Sequence, residues 1–208
     1  MLETGMMNNV LLGKVGPADL SVGAYNILRL DKMGALVVTD DYKAKALDGR
    51  LFYSYCAARA TSVPATAQIG NIVHNPPGSG VNLVLGLWTI QIQVTSATTL
   101  GITLGYAVQA TAPTTVTAAD ATGCTKFNGG APQAKAYAIG TVITAPTPVM
   151  NLVHNTAAIN TVGVDQVGGD FKGVWVCPPG YLVALSAITA AVATAGMTST
   201  LVWEEVPV

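Results

Sequence analysis

The chain has 208 residues, half of them hydrophobic, a formal net charge of −1 and a mean hydropathy of +0.47. Only 10% of the residues are charged, against about 25% in an ordinary soluble domain, so a lone copy would have few charges to keep it from associating. With no basic cluster there is no electrostatic basis for nucleic-acid binding. No apolar run is long enough to span a bilayer, and the early Glu3 without basic neighbours predicts no signal peptide.

Charge is unevenly placed. Twelve charged side chains fall between Met1 and Arg50, and only six between Ala60 and Trp203. Residues 1–50 therefore read as an N-terminal arm or hairpin region, and residues 51–208 as a separate body. Within the arm, Gly34 to Thr39 reads as a strand running into the polar turn Asp40-Asp41-Tyr42. Further on, Asp48-Gly49 before Leu51-Phe52-Tyr53 is a hairpin signal. Two readings stand side by side: a solvated surface hairpin, or an extended segment that orders on a partner. On the second reading the contact residues are Asp40, Asp41, Lys43, Lys45, Asp48 and Arg50.

The body is rich in Val, Ile and Thr, which suit pleated surfaces. Turn residues punctuate it at short intervals, among them Asn75-Pro76-Pro77-Gly78, Asn128-Gly129-Gly130, Gly168-Gly169 and Pro178-Pro179-Gly180. Strands are predicted over 52–58, 67–74, 81–94, 100–109, 135–144, 148–154, 172–177, 181–188 and 198–206. Trp88, Ile90, Ile92 and Val94 alternate with Thr89, Gln91 and Gln93, a period of two with one face in a core. Residues 184–195 are rich in Ala and admit a short helix. The strand-like flanks favour two strands with a loop near Thr194-Ala195-Gly196. The fold class that follows is all-β: an antiparallel β-sandwich or jelly roll with an extended N-terminal arm.

Val-His-Asn occurs twice, at 73–75 and 153–155, and holds both histidines of the chain. Each histidine ends an apolar run before an Asn, as a polar cap at a strand end would. Two histidines need a third ligand to hold a metal. The candidates Asp165 and Asp170 lack ligand spacing, so no metal and no cofactor are expected. Cys56, Cys124 and Cys177 are widely spaced and read as reduced buried thiols made in a cytoplasm. Gly78-Ser79-Gly80 is a turn rather than a nucleophile elbow. Asp40-Asp41 and Glu204-Glu205 are neighbours on extended chain, so their side chains point apart, and Glu204-Glu205 is expected to keep the last strand soluble. No phosphate-binding glycine motif is present. These residues assemble no catalytic constellation, and no enzyme activity is expected.

Four stretches carry a resemblance. They are Gly-Ala-Leu-Val-Val-Thr-Asp (34–40) with the Tyr/Phe-rich segment after it; Val-His-Asn-Pro-Pro-Gly-Ser-Gly-Val-Asn-Leu-Val-Leu (73–85); Trp-Val-Cys-Pro-Pro-Gly-Tyr-Leu (175–182); and Leu-Val-Trp-Glu-Glu-Val-Pro (201–207). From about Gly34 onward the chain resembles structural proteins of tailed-bacteriophage particles, in particular jelly-roll capsid decoration or cement proteins and head-fibre proteins. That resemblance implies a non-enzymatic virion protein on the capsid surface, made in the host cytoplasm. Its partners would be the major capsid protein and copies of itself, a trimer before a dimer, with no direct nucleic-acid or membrane contact. The alternatives are a head-fibre, tail or adaptor protein, and a carbohydrate-binding β-sandwich. The last would want a row of exposed aromatics, whereas Trp88, Trp175 and Trp203 lie in apolar strands where core packing is expected.

Overall fold

The computed structural model describes residues 12–13, 26–27, 42, 45–46, 49–92, 100–115, 125–126, 131–155, 165–188 and 192–208. The chain divides into two units, residues 1–43 and 44–208. In the first, β1 (Leu12–Gly13) pairs antiparallel with β2 (Asn26–Ile27). The strand expected at 34–39 lies outside the described residues.

The second unit is built from antiparallel strands: β3 (Leu51–Thr61), β4 (Ala67–Asn75), β5 (Val81–Ile92), β6 (Leu100–Val108), β7 (Thr125–Lys126), β8 (Lys135–Thr141), β9 (Thr147–Asn155), β10 (Asp165–Asp170), β11 (Val176–Cys177), β12 (Tyr181–Ala187) and β13 (Val192–Pro207). They form two sheets. Sheet I runs β10-β5-β13-β3-β7, with β11 also on β5, and sheet II runs β8-β4-β12-β6-β9. Eight of the strands pair as the two arms of one long ribbon: β3 with β13, β4 with β12, β5 with β10, and β6 with β9. Rolling that ribbon puts alternate pairs in opposite sheets, which is the jelly-roll order. The all-β antiparallel sandwich expected from the sequence is the fold observed.

Between the sheets lies one continuous core. Leu83, Leu85, Trp88 and Ile90 of β5 face Ile102 and Leu104 of β6, Val73 of β4 and Val183 and Leu185 of β12, with Leu201 and Trp203 of β13 beside them. Phe52 stacks on Trp203 at a centroid distance of 6.4 Å, and Trp88 meets Phe171 at 6.2 Å. The inward set on β5 is 83, 85, 88 and 90, so the period of two slips once. A bulge accounts for it: Leu201 lies opposite Trp88 while Trp203 lies opposite Leu85, leaving an extra residue of β5 between them.

Three expectations are corrected. The strand 165–170 was expected as a turn because of Gly168-Gly169. Both glycines instead lie flat on β5, where a Cβ on Gly169 would come within 2.9 Å of the Trp88 indole. The expected strand 172–177 is reduced to Val176–Cys177, because Lys172 and Gly173 turn with φ of 51° and 72°. Residues 184–195 do form two strands, but the break comes after Ala187 and before Val192 rather than at 194–196, where β13 carries register shifts instead.

Asp48 lies outside the described residues, and the described backbone around Gly49 closes a helical turn rather than a hairpin. Lys45 and Ala46 are helical, Gly49 has φ of 71°, and the N–H groups of Arg50 and Gly49 donate to the carbonyls of Lys45 (3.0 Å) and Ala46 (3.1 Å). That is a Schellman closure of a helical turn, with glycine in the left-handed position it requires.

Candidate functional site

Of the arm residues singled out by the sequence, Asp40, Asp41, Lys43 and Asp48 lie outside the described residues. Lys45 and Arg50 converge on one partner: the Glu204 carboxylate receives the Lys45 Nζ at 3.0 Å and an Arg50 guanidinium nitrogen at 2.9 Å. The Glu205 backbone N–H donates to the Arg50 carbonyl at 2.9 Å. The Glu205 side chain points the other way, as neighbours on a strand must, and accepts the backbone N–H groups of Gln133 (3.1 Å) and Ala134 (3.0 Å). Both glutamates are buried. The expectation that they keep the last strand soluble is therefore wrong: one ties down the segment that enters the body, and the other ties down the loop before β8.

The two histidines do not meet. His74 lies opposite Leu182 on β12, which lies opposite Ala107 on β6, whereas the His154 backbone lies opposite Gly101 on β6. Three strand spacings of about 4.8 Å separate β4 from β9, and six residues of strand at about 3.3 Å separate the two register positions. Asp170, the other ligand considered, accepts the Lys172 N–H at 2.7 Å in a turn at the end of β10. Among the described residues no three His, Cys, Asp or Glu side chains gather as a metal-binding group.

His74 is at a strand end, as the sequence indicated, and it is 1% exposed. Its Nε2 lies 3.0 Å from the Gln109 carbonyl, an acceptor, so that nitrogen carries the proton. Nδ1 is buried without a hydrogen-bond partner. Burial lowers the His74 pKa below the ordinary imidazole value, outweighing the opposing effect of the Gln109 carbonyl.

The residue after it, Asn75, joins the two sheets. Its side-chain amide donates to the carbonyls of Val81 (2.8 Å) and Cys177 (2.9 Å), and its own carbonyl receives the Gly180 N–H at 2.8 Å. The two Pro-Pro-Gly turns thus close against one asparagine. In the first, Ser79 N–H reaches the Pro76 carbonyl at 3.1 Å with Gly78 at φ 77°, the geometry in which Pro leads and Gly follows. Cys177 is fully buried beside it and its thiol is pushed up to about 12 by desolvation, so it is a poor nucleophile. Cys56 is buried as well, and Cys124 lies outside the described residues.

A second buried polar group went unread in the sequence. Ser54 donates to Asn71 Oδ1 at 2.8 Å, and Asn71 Nδ2 reaches the Ser199 carbonyl at 3.4 Å, linking β3, β4 and β13 inside the sandwich. The available signal was Asn71 in the apolar run Ile-Gly-Asn-Ile-Val. These groups are enclosed, so their chemistry is structural.

No protein-family model, curated protein or solved structure matches this chain.

What the body does offer is apolar surface. Val174 is 75% exposed, and Val176, Leu87 and Tyr55 on sheet I, Val108, Val149 and Met150 on sheet II and Ile143 in the connection between β8 and β9 are exposed too. The three tryptophans do not contribute a platform: Trp88 and Trp203 are buried, and Trp175 packs against the core.

Proposed function

We propose that this protein is a structural component of a tailed-phage particle, a capsid decoration or cement protein that binds the major capsid protein and its own copies. The observation that carries this reading is the exposed apolar set on a jelly-roll body, in a chain of which only 10% of the residues are charged. Such a surface favours burial against neighbours. Contacts that are weak one at a time hold when many copies act together. Closing into a trimer would hide sheet edges and apolar side chains in a symmetric way. Lys45 and Arg50 share Glu204, so on this reading their role is to fix the start of the body, and arm contacts to the shell fall to Asp40, Asp41, Lys43 and Asp48.

The test is the mass of the purified protein by light scattering, alone and after co-sedimentation with emptied phage heads. The expected result is a closed trimer or dimer that sediments with heads in hundreds of copies. Tens of copies or fewer would assign it to a fibre, tail or adaptor. A monomer that ignores heads would overturn the reading.

A further inference from the structure

The outer face of sheet II is not open. The connection from β8 to β9 crosses it from one edge to the other, and the stretch after β6 lies beside it. Thr114 and Thr141 exchange backbone hydrogen bonds at 2.9 and 2.7 Å, and Val142 N–H donates to the Thr66 carbonyl at 2.8 Å. Val142 then packs on Ile72, Ala107, Leu182 and Ala184. The crossing takes six residue steps, from Thr141 at the end of β8 to Thr147 at the start of β9.

One polar hub fixes this cover to the sheet. Gln109 takes a hydrogen bond from His74 on its carbonyl and gives its own N–H to Gly180 at 2.7 Å. Its side chain receives the Ile143 N–H at 2.9 Å and donates to the Thr111 carbonyl at 2.7 Å. His74 is the one titratable member of that hub.

Its surroundings suit only the neutral ring. Lys135 of β8 lies directly opposite on the same face, within about 5.5 Å between Cβ atoms. Tyr137 is two residues further on the same strand. From β12 and β6 the nearest ionisable groups are Tyr181 and Tyr106, stacked at 5.1 Å and packed against the core between the sheets, with Cys177 beyond Asn75. None of these carries a negative charge in acid, and Tyr106 and Cys177 are both raised to about 12. The stretches 67–75, 100–115, 131–155 and 178–188, which make up sheet II, its cover and the turn before β12, contain no Asp or Glu; the carboxylate that reaches them is Glu205 of β13, which is held by the Gln133 and Ala134 N–H groups before β8. A second ring proton would sit on a buried nitrogen with no acceptor.

We propose that His74 is an acid-released latch: neutral, it holds the 109–115 and 141–146 cover closed on sheet II, and protonated, it frees the cover and exposes the apolar face beneath. The sign follows from linkage. A ring released to solvent takes its proton near the ordinary pKa of about 6.5, while the closed state resists it. The open-to-closed ratio therefore rises as pH falls below that value, by up to about tenfold per pH unit until the closed ring itself protonates.

The test follows backbone hydrogen exchange, expressed as protection factors, from pH 7.5 to pH 4, alongside the ring NMR shifts of the two histidines. Protection at Thr114, Thr141, Val142 and Ile143 is expected to fall in step with the His74 ring titration, with β5 and β13 amides unchanged. In His74→Gln, whose side-chain amide can donate to the Gln109 carbonyl but does not titrate, the fall is expected to vanish. Flat protection of the cover down to pH 4 overturns the proposal. So does an equal fall in His74→Gln, or a loss shared by the whole body. Should that variant not fold, the wild-type protein still decides, because ring and cover must share one midpoint.

Discussion

At the scale of single residues, the adjacent glutamates separate two kinds of carboxylate. Glu204 meets two cations of which Arg50 is 43% exposed, so solvent screens the interaction, and Glu204→Gln is expected to cost about 1 kcal/mol or less. Glu205 is buried and satisfies two backbone N–H groups. Glu205→Ala leaves both without an acceptor and is expected to cost roughly 2–4 kcal/mol. Urea denaturation of the two variants checks the order, and a larger loss in Glu204→Gln would reverse the account. Asn75 gives a test with a pH sign. Asn75→Asp replaces two donated hydrogen bonds by a carboxylate facing two carbonyls. It is expected to be far less stable than the parent at pH 7, and to regain part of the deficit as pH falls toward the ordinary Asp value of about 4, because the folded state, where the protonated acid can donate once, takes up its proton before the unfolded chain does. A deficit that does not depend on pH would show that the amide is not the donor that matters.

At the scale of the elements, glycine sets how closely pieces approach. A Cβ on Gly105 would lie 2.8 Å from the Pro146 side chain in the crossing, and one on Gly169 within 2.9 Å of the Trp88 ring. Gly105→Ala and Gly169→Ala are each expected to destabilise by roughly 1–3 kcal/mol through overpacking. Only the second should alter the near-UV circular dichroism of Trp88. The same glycines show where the sequence could and could not be read. Strands such as 67–75, 81–92 and 181–187 were legible because a Pro-Pro-Gly turn adjoins one end of each and their apolar content is high. β10 was not, because Gly168-Gly169 has the composition of a turn, and what holds it extended is the flat Trp88 side chain it covers. The slip in β5 and the burial of His74 were equally hidden: a bulge has no signature in local alternation, and the lid over the histidine comes from residues 35 positions away at Gln109. Of the candidate contact residues, the sequence marked Lys45 and Arg50 by charge but not their common partner, which is about 150 residues distant.

At the scale of the whole molecule, the ribbon makes the fold cooperative. β13 lies between β5 and β3 at the centre of sheet I, so a chain ending before Val192 is expected to show no cooperative thermal transition by circular dichroism. Pairings of high sequence separation such as Thr61 with Val192 place refolding in the slow, millisecond-to-second range of all-β domains. The same pairing has a mechanical side. β3 and β13 are antiparallel, and the Arg50 carbonyl is bonded to Glu205, so the chain enters and leaves the body at one place. A pull applied through those two ends acts along the hydrogen bonds, which run perpendicular to antiparallel strands, and breaks them one after another like a zipper. Tension led in through the flanks of the sandwich would have to shear many bonds at once. A body that has to withstand strain is therefore best gripped by its faces, and its chain ends are tethers rather than anchors.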